Sequence, residues 1–119
     1  MYVLVADDSR VMRQIVIRTL RQAGYEWNII EANDGQEVYD MALSEKPDLI
    51  LSDWNMPNAT GIEALQALRQ AGCNIPFGFV TSEGSSEMRE QADAAGALFL
   101  VAKPFTAEAF REVLDPVLG

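Results

Sequence analysis

Apolar runs alternate with helix-like segments five times along this chain. The runs that read as strands are Tyr2–Ala6, Trp27–Ala32, Leu49–Ser52, Phe77–Val80 and Leu98–Ala102. They are nearly continuous in apolarity, as suits strands covered on both faces. The first helix is expected over about Ser9 to Ala23, with Met12, Ile15, Val16, Thr19, Leu20 and Ala23 on one stripe and Gly24 as its stop. The second spans about Gln36 to Ser44, introduced by Asn33-Asp34-Gly35 and ended by Lys46-Pro47-Asp48, because the residue before a proline resists helix. The third begins after Gly61, carries Ile62, Leu65 and Leu68, and stops at Gly72. The fourth, about Ser86 to Ala95, has a thin apolar face of Met88, Ala92 and Ala95. The fifth, about Ala107 to Leu118, shows Phe110, Val113, Leu114 and Val117, with Pro116 inside, where a proline kinks or ends a helix. Repeated βα units of this kind predict an α/β protein built on a mostly parallel sheet.

The chain has 119 residues, the size of one domain, expected to occupy 1–119. Its net charge is −9, from eighteen acids and nine bases, which disfavours bare binding to nucleic acid or an anionic membrane. There is no histidine, so imidazole metal sites, histidine triads and an internal phosphohistidine are excluded. No apolar stretch approaches the roughly 20 residues of a membrane span. Met1 leads straight into a strand-like run with no secretory signal, and the single cysteine, Cys73, excludes an internal disulfide. A cytoplasmic protein is expected on these grounds.

The chemistry lies where the apolar runs end. The first runs into Asp7-Asp8, the third into Asp53, the fourth into Thr81 and the fifth into Lys103-Pro104. In parallel strands these ends share one edge of the sheet, where ligands bind in open α/β folds. Three carboxylates gathered there repel one another and call for a hard cation such as Mg²⁺. Asp53 is the best nucleophile, since a carboxylate oxygen can take a phosphoryl group to form an acyl phosphate. Phosphoryl transfer is mostly positioning and neutralisation, to which Thr81 brings a hydroxyl and Lys103 an ammonium. Lys103 stands out as one of only two lysines. A Lys-Pro bond favours trans by only about 0.5–1 kcal/mol, and a cis turn would aim that ammonium back across the strand ends.

These residues resemble a receiver domain of two-component response regulators, of the chemotaxis single-domain type. The resemblance covers all 119 residues and rests on Asp7-Asp8, Asp53, Thr81 and Lys103-Pro104 in the family's order and approximate spacing. Asp53-Trp54-Asn55-Met56-Pro57-Asn58, Met12-Arg13-x-Ile15-Val16 and Lys103-Pro104-Phe105-Thr106 add to it. It implies a single-domain, flavodoxin-like, doubly wound parallel sheet of five strands in order 2-1-3-4-5 with five helices. It implies that Asp53 is the phosphoacceptor, that Asp8, Asp53 and the backbone carbonyl of Asn55 ligate Mg²⁺, that Asp7 holds the metal through water, and that Thr81 and Lys103 grip the phosphoryl group. The donor would be a phosphohistidine on a sensor histidine kinase or phosphotransfer protein. A downstream target would read the face made by the fourth helix, fifth strand and fifth helix. The chain would thus be a switch that catalyses its own phosphorylation and dephosphorylation, with no nucleic-acid partner and no membrane insertion. Two positions depart from the family pattern. Ser82 follows the switch hydroxyl where a very small residue is usual, and Leu100 stands three before the lysine where tyrosine or phenylalanine is common.

Two other classes share part of this chemistry. A Mg²⁺-dependent aspartyl-phosphate phosphatase of the haloacid dehalogenase type places its nucleophile at the end of the first strand in an Asp-x-Asp arrangement under a cap. Here the first acids are adjacent and the chain has no room for a cap. A flavodoxin-like binding module would need hydroxyls and amides after the first strand, where this chain has two acids.

Overall fold

Every strand is followed by a helix, and each of the first four helices starts on a side-chain cap that the loop supplies. The computed structural model describes residues 1–118. The elements are β1 (Tyr2–Ala6), α1 (Arg10–Gln22), β2 (Asn28–Ala32), α2 (Gly35–Glu45), β3 (Leu49–Ser52), α3 (Gly61–Gln70), β4 (Phe77–Thr81), α4 (Ser86–Ala94), β5 (Phe99–Ala102) and α5 (Ala107–Leu118). Ser9, Asp34, Thr60 and Ser85 each accept a backbone N–H of the first helical turn, and Thr60 and Glu63 form a reciprocal capping box. Each cap satisfies donors that a helix start leaves orphaned. α5 runs through Pro116 to Leu118, so the proline does not end it.

The five strands form one parallel sheet in the order β2-β1-β3-β4-β5, as expected. The order reverses at β1, which pairs with β2 on one side and β3 on the other. Crevices at such reversals are the binding edge of this architecture.

Strand alternation splits the core into two layers. Leu4, Ile50, Phe77, Phe79 and Leu100 face Val38, Leu65, Leu68 and Ala92 of α2, α3 and α4. Val3, Val5, Leu49, Leu51 and Val80 face Val16, Leu20, Phe110 and Leu114 of α1 and α5. Each such aliphatic side chain contributes about 1.5–3 kcal/mol by leaving water. Phe99 lies with the second layer and Leu100 with the first, because successive strand residues point to opposite faces. The Phe99 ring occupies the space above Gly78, its partner on β4. A Cβ added to Gly78 would stand 2.2 Å from that ring.

α1 departs from the expected stripe. Ile15 is exposed and Met12 half-buried, whereas Arg13 is buried at 8% exposure beside Val16, Ile17, Thr19 and Leu20. The buried face is therefore rotated toward Arg13 near the helix start. α4 is held as thinly as its sequence suggests, with Ala92 its single buried residue.

Candidate functional site

The strand ends converge as the pattern of acids predicts. β1 and β3 are neighbours, so Asp7 and Asp53 leave the sheet side by side, and the Asp53 N–H donates to the Ala6 carbonyl at 2.8 Å. Asp7, Asp8 and Asp53 each offer an oxygen within 4.8 Å of the others. Asp7 is buried, Asp8 is exposed, and Asp53 retains 9% exposure. A dry floor with one open side is thus lined by hard oxygen donors, a donor set that fits Mg²⁺.

Lys103 enters from the end of β5. Its Nζ lies 2.9 Å from Asp7 Oδ2 and 3.5 Å from Asp53 Oδ2. The Lys103–Pro104 peptide is cis. Thr81 is fully buried at the end of β4, and its carbonyl accepts from the Lys103 N–H at 2.7 Å. Its hydroxyl accepts from the Glu83 N–H at 3.4 Å. Asn55 is exposed in the loop after β3.

The other carboxylate oxygens are already bonded. The Trp54 N–H donates to Asp53 Oδ1 at 2.7 Å, and the Ser9 N–H to Asp7 Oδ1 at 2.9 Å. Burial pushes the Asp53 carboxyl above its ordinary pKa, and the negative charge of Asp7 pushes the same way, while the Lys103 ammonium and the Trp54 N–H oppose them. The site holds more negative charge than its own cation balances.

A clamp that the strand pattern does not announce holds the loop after Asp53. The Gly35 N–H donates to the Ala59 carbonyl at 2.9 Å, and Asn58 Nδ2 donates to Asp34 Oδ2 at 2.8 Å. Asn58 has φ +67°, a left-handed conformation that asparagine tolerates. A Cβ on Gly35 would lie 2.3 Å from the Ala59 carbonyl oxygen, so only glycine admits this approach. The start of α2 and the loop after β3 are thereby joined backbone to backbone.

Comparison with known proteins agrees with this geometry. The response regulator receiver domain family matches residues 3–115. Chemotaxis protein CheY of Pseudomonas aeruginosa is 36% identical over 119 residues, covering 98% of this chain and 95% of that protein. Chemotaxis protein CheY1 of Helicobacter pylori is 34% identical over 122 residues, covering 100% of this chain and 98% of that protein. The structure of chemotaxis response regulator CheY4 of Vibrio cholerae matches with a TM-score of 0.82 at 38% identity, covering 98% of this chain and 97% of that one. These matches, on a five-stranded sheet with an acidic crevice at its point of reversal, define a phosphorylation-regulated switch. This chain belongs to the response regulator receiver family and is CheY-like. It is a switch of two-component signalling and not a conventional enzyme, and the phosphatase and flavodoxin-like readings are not favoured. Receiver domains generally bind Mg²⁺, and CheY-like regulators interact with kinases and downstream targets. Among the described residues, no helix is long and apolar enough to cross a membrane.

Proposed function

We propose that residues 1–119 act as one receiver unit in which Asp53 accepts a phosphoryl group from a phosphohistidine on a partner kinase or phosphotransfer protein. An Asp53 oxygen attacks phosphorus, the phosphorus–nitrogen bond breaks, and the imidazole leaves. Reversal is by water, which attacks phosphorus and releases phosphate and the free carboxylate. Asp8, Asp53 and the Asn55 carbonyl would hold Mg²⁺, with Asp7 holding it through water, and the metal when bound would supply positive charge against the phosphoryl oxygens. Lys103 swings from its acid pair to one phosphoryl oxygen, and the Thr81 hydroxyl takes another. The chain thus catalyses both its own loading and its own discharge. The observation that carries this reading is Asp53 itself. It is a nearly buried carboxylate with a raised pKa, 3.5 Å from the Lys103 ammonium and clustered with two further acids.

The output is read on the α4–β5–α5 face. A groove of about 190 Å³ lies on its α4–β5 side, with Arg89, Ala92, Leu98, Phe99 and Leu100 in its lining. Leu98 is half-exposed on its rim. Arg89 bridges the parts that must move together: its Nη1 donates to the Leu100 carbonyl at 3.1 Å and its Nε to the Gly84 carbonyl at 3.3 Å. Movement of Thr81 shifts the Ser82–Ser85 loop and so changes what Arg89 holds. Phe99 does not stand in for the aromatic absent at Leu100, because it faces the opposite layer.

The test is incubation with acetyl phosphate and Mg²⁺, followed by intact mass. The chain gains about 80 Da, one phosphoryl group. Asp53→Asn and excess chelator each abolish the gain. A gain that persists in the variant overturns Asp53 as acceptor.

A further inference from the structure

Arg13 is buried at 8% exposure on α1, with Nε and Nη1 of its guanidinium engaged. Its Nε donates to Glu31 Oε1 at 2.8 Å. Its Nη1 donates to the Asp7 carbonyl at 2.7 Å and to Asn33 Oδ1 at 2.8 Å. The Asp7 carbonyl belongs to the peptide that joins Asp7 to Asp8. Asp7 is further tied by its own N–H to the Ala32 carbonyl at 3.1 Å, and by Oδ1 to the Ser9 N–H. Asp8 is exposed, so no packing fixes its side chain, and the Asp7–Asp8 peptide sets the direction in which its Cβ leaves the backbone. Asn33 passes the restraint on: its N–H and side-chain amide both donate to Glu37 Oε1 of α2, at 2.8 and 3.0 Å.

We propose that Arg13 is a positioning residue for the metal-binding acids, fixing the Asp7–Asp8 peptide so that both carboxylates project into the cleft. This rests on the reading that Asp7, Asp8 and Asp53 hold Mg²⁺. Groups that orient ligands from behind commonly matter 10–100-fold in metal affinity. The sign of the effect separates positioning from charge. A cation beside the acids repels Mg²⁺, and Glu31 released from its pair adds attraction. Electrostatics alone therefore makes removal of Arg13 tighten Mg²⁺ binding. Loss of positioning weakens it. A mere staple between α1 and β2 lowers the melting temperature and leaves Mg²⁺ affinity alone.

The experiment is calorimetric titration of the metal-free protein with MgCl₂, well below the melting temperature of each variant. Arg13→Gln is expected to weaken binding about tenfold or more. Arg13→Lys keeps the charge but not the planar fork, and is expected to weaken binding nearly as much. Asn33→Ala, which removes an Arg13 acceptor at an exposed position without changing any charge, is expected to weaken it a few-fold. Affinity that is unchanged or tighter in Arg13→Gln overturns the proposal. If Arg13→Gln does not fold, unchanged affinity in Asn33→Ala overturns it. An unsubstituted protein that gives no Mg²⁺ response overturns the metal reading and this proposal with it, whereas normal binding by the unsubstituted and Arg13→Gln proteins alike overturns this proposal alone.

Discussion

Lys103 Nζ lies 2.9 Å from Asp7 Oδ2, closer than the 3.5 Å that separates it from Asp53 Oδ2. Before phosphorylation the ammonium is thus first the counter-ion of the acid that follows β1. With 15% of its side chain exposed, it neutralises part of a carboxylate cluster that water screens poorly.

Replacing Lys103 by methionine keeps the volume and removes the charge. The metal-free protein is expected to lose about 3 kcal/mol, the usual cost of leaving a buried charge without its partner. Mg²⁺ then stabilises the variant more than the unsubstituted chain, because the metal becomes the cluster's main cation. Urea unfolding with and without Mg²⁺ measures both effects. Equal midpoints for the two proteins in both conditions would contradict this account of the pair.

Stability of the metal-free protein should depend on Asp53 with a definite sign. An acid whose folded pKa lies above its unfolded value binds more protons folded than unfolded, so its ionisation costs stability as pH rises through the folded value. Asp53→Asn removes that cost. The variant is expected to melt higher than the unsubstituted chain at neutral pH, each kcal/mol recovered being worth about 4 °C in a domain of this size. The advantage disappears once pH falls below the ordinary carboxylate value near 4, where Asp53 is protonated in both states. Calorimetry in chelator across that range checks it, and a variant that melts lower at neutral pH refutes it.

All five strands were legible to within one residue: β1, β3 and β4 are almost wholly buried and so continuous in apolarity, and the edge strands β2 and β5, though partly exposed, keep an apolar centre. Their order was not contained in that alternation and came with the family resemblance. The acids at the ends of β1 and β3 were legible because strand ends collect on one edge. Arg13 was hidden. A hydropathy stripe counts an arginine as a solvent residue, and its acceptors Glu31 and Asn33 lie 18 and 20 residues away. The clamp between Gly35 and Ala59 was hidden for the same reason, since nothing local to either loop announces the other. Arg89 lay on a helix face that reads as merely solvated, yet it touches two backbone carbonyls.

Gly35→Ala tests the clamp. A Cβ would meet the Ala59 carbonyl oxygen at 2.3 Å and the Thr60 carbonyl oxygen at 2.7 Å, so backbone must move. Overpacking of this kind costs about 1–3 kcal/mol. The loop that follows Asp53 moves with it, so the rate of phosphorylation by acetyl phosphate is expected to fall under conditions where the variant remains folded. An unchanged rate would show that the clamp does not position the acceptor loop.

Beryllofluoride, standing in for the phosphoryl group, is expected to alter amide exchange in Ser82–Ala95 and Leu98–Ala102 and to leave β2 and α2 nearly unchanged. Thr81→Ala should still be phosphorylated but lose most of that remote response, and Arg89→Ala should break the link between the two responding segments. Weakly buried elements are where such local changes concentrate. Exchange changes confined to Asp7, Asp8 and the loop after Asp53 would contradict this route to the output face.

The unequal anchorage of α4 has a mechanical consequence. Near its C-terminal end Ala92 is buried, and the Gly96 carbonyl lies 3.5 Å from the Arg69 guanidinium, which also holds the Cys73 and Ile75 carbonyls at 2.9 Å each. Toward its N-terminal end Ser86, Glu87 and Arg89 are exposed, and that half is held by half-buried Met88 and the two Arg89 hydrogen bonds. Nine helical residues make a rod about 14 Å long. A rod held more firmly at one end swings at the other: a tilt of about 5° about Gly96 carries the Ser85 end through about 1.2 Å, the scale of helix shifts that switch interfaces. A pull from Thr81 through the Ser82–Ser85 loop is therefore expected to move the Ser85 end most and Arg89 less, opening or closing the groove mouth while the turn at Gly96 keeps its place.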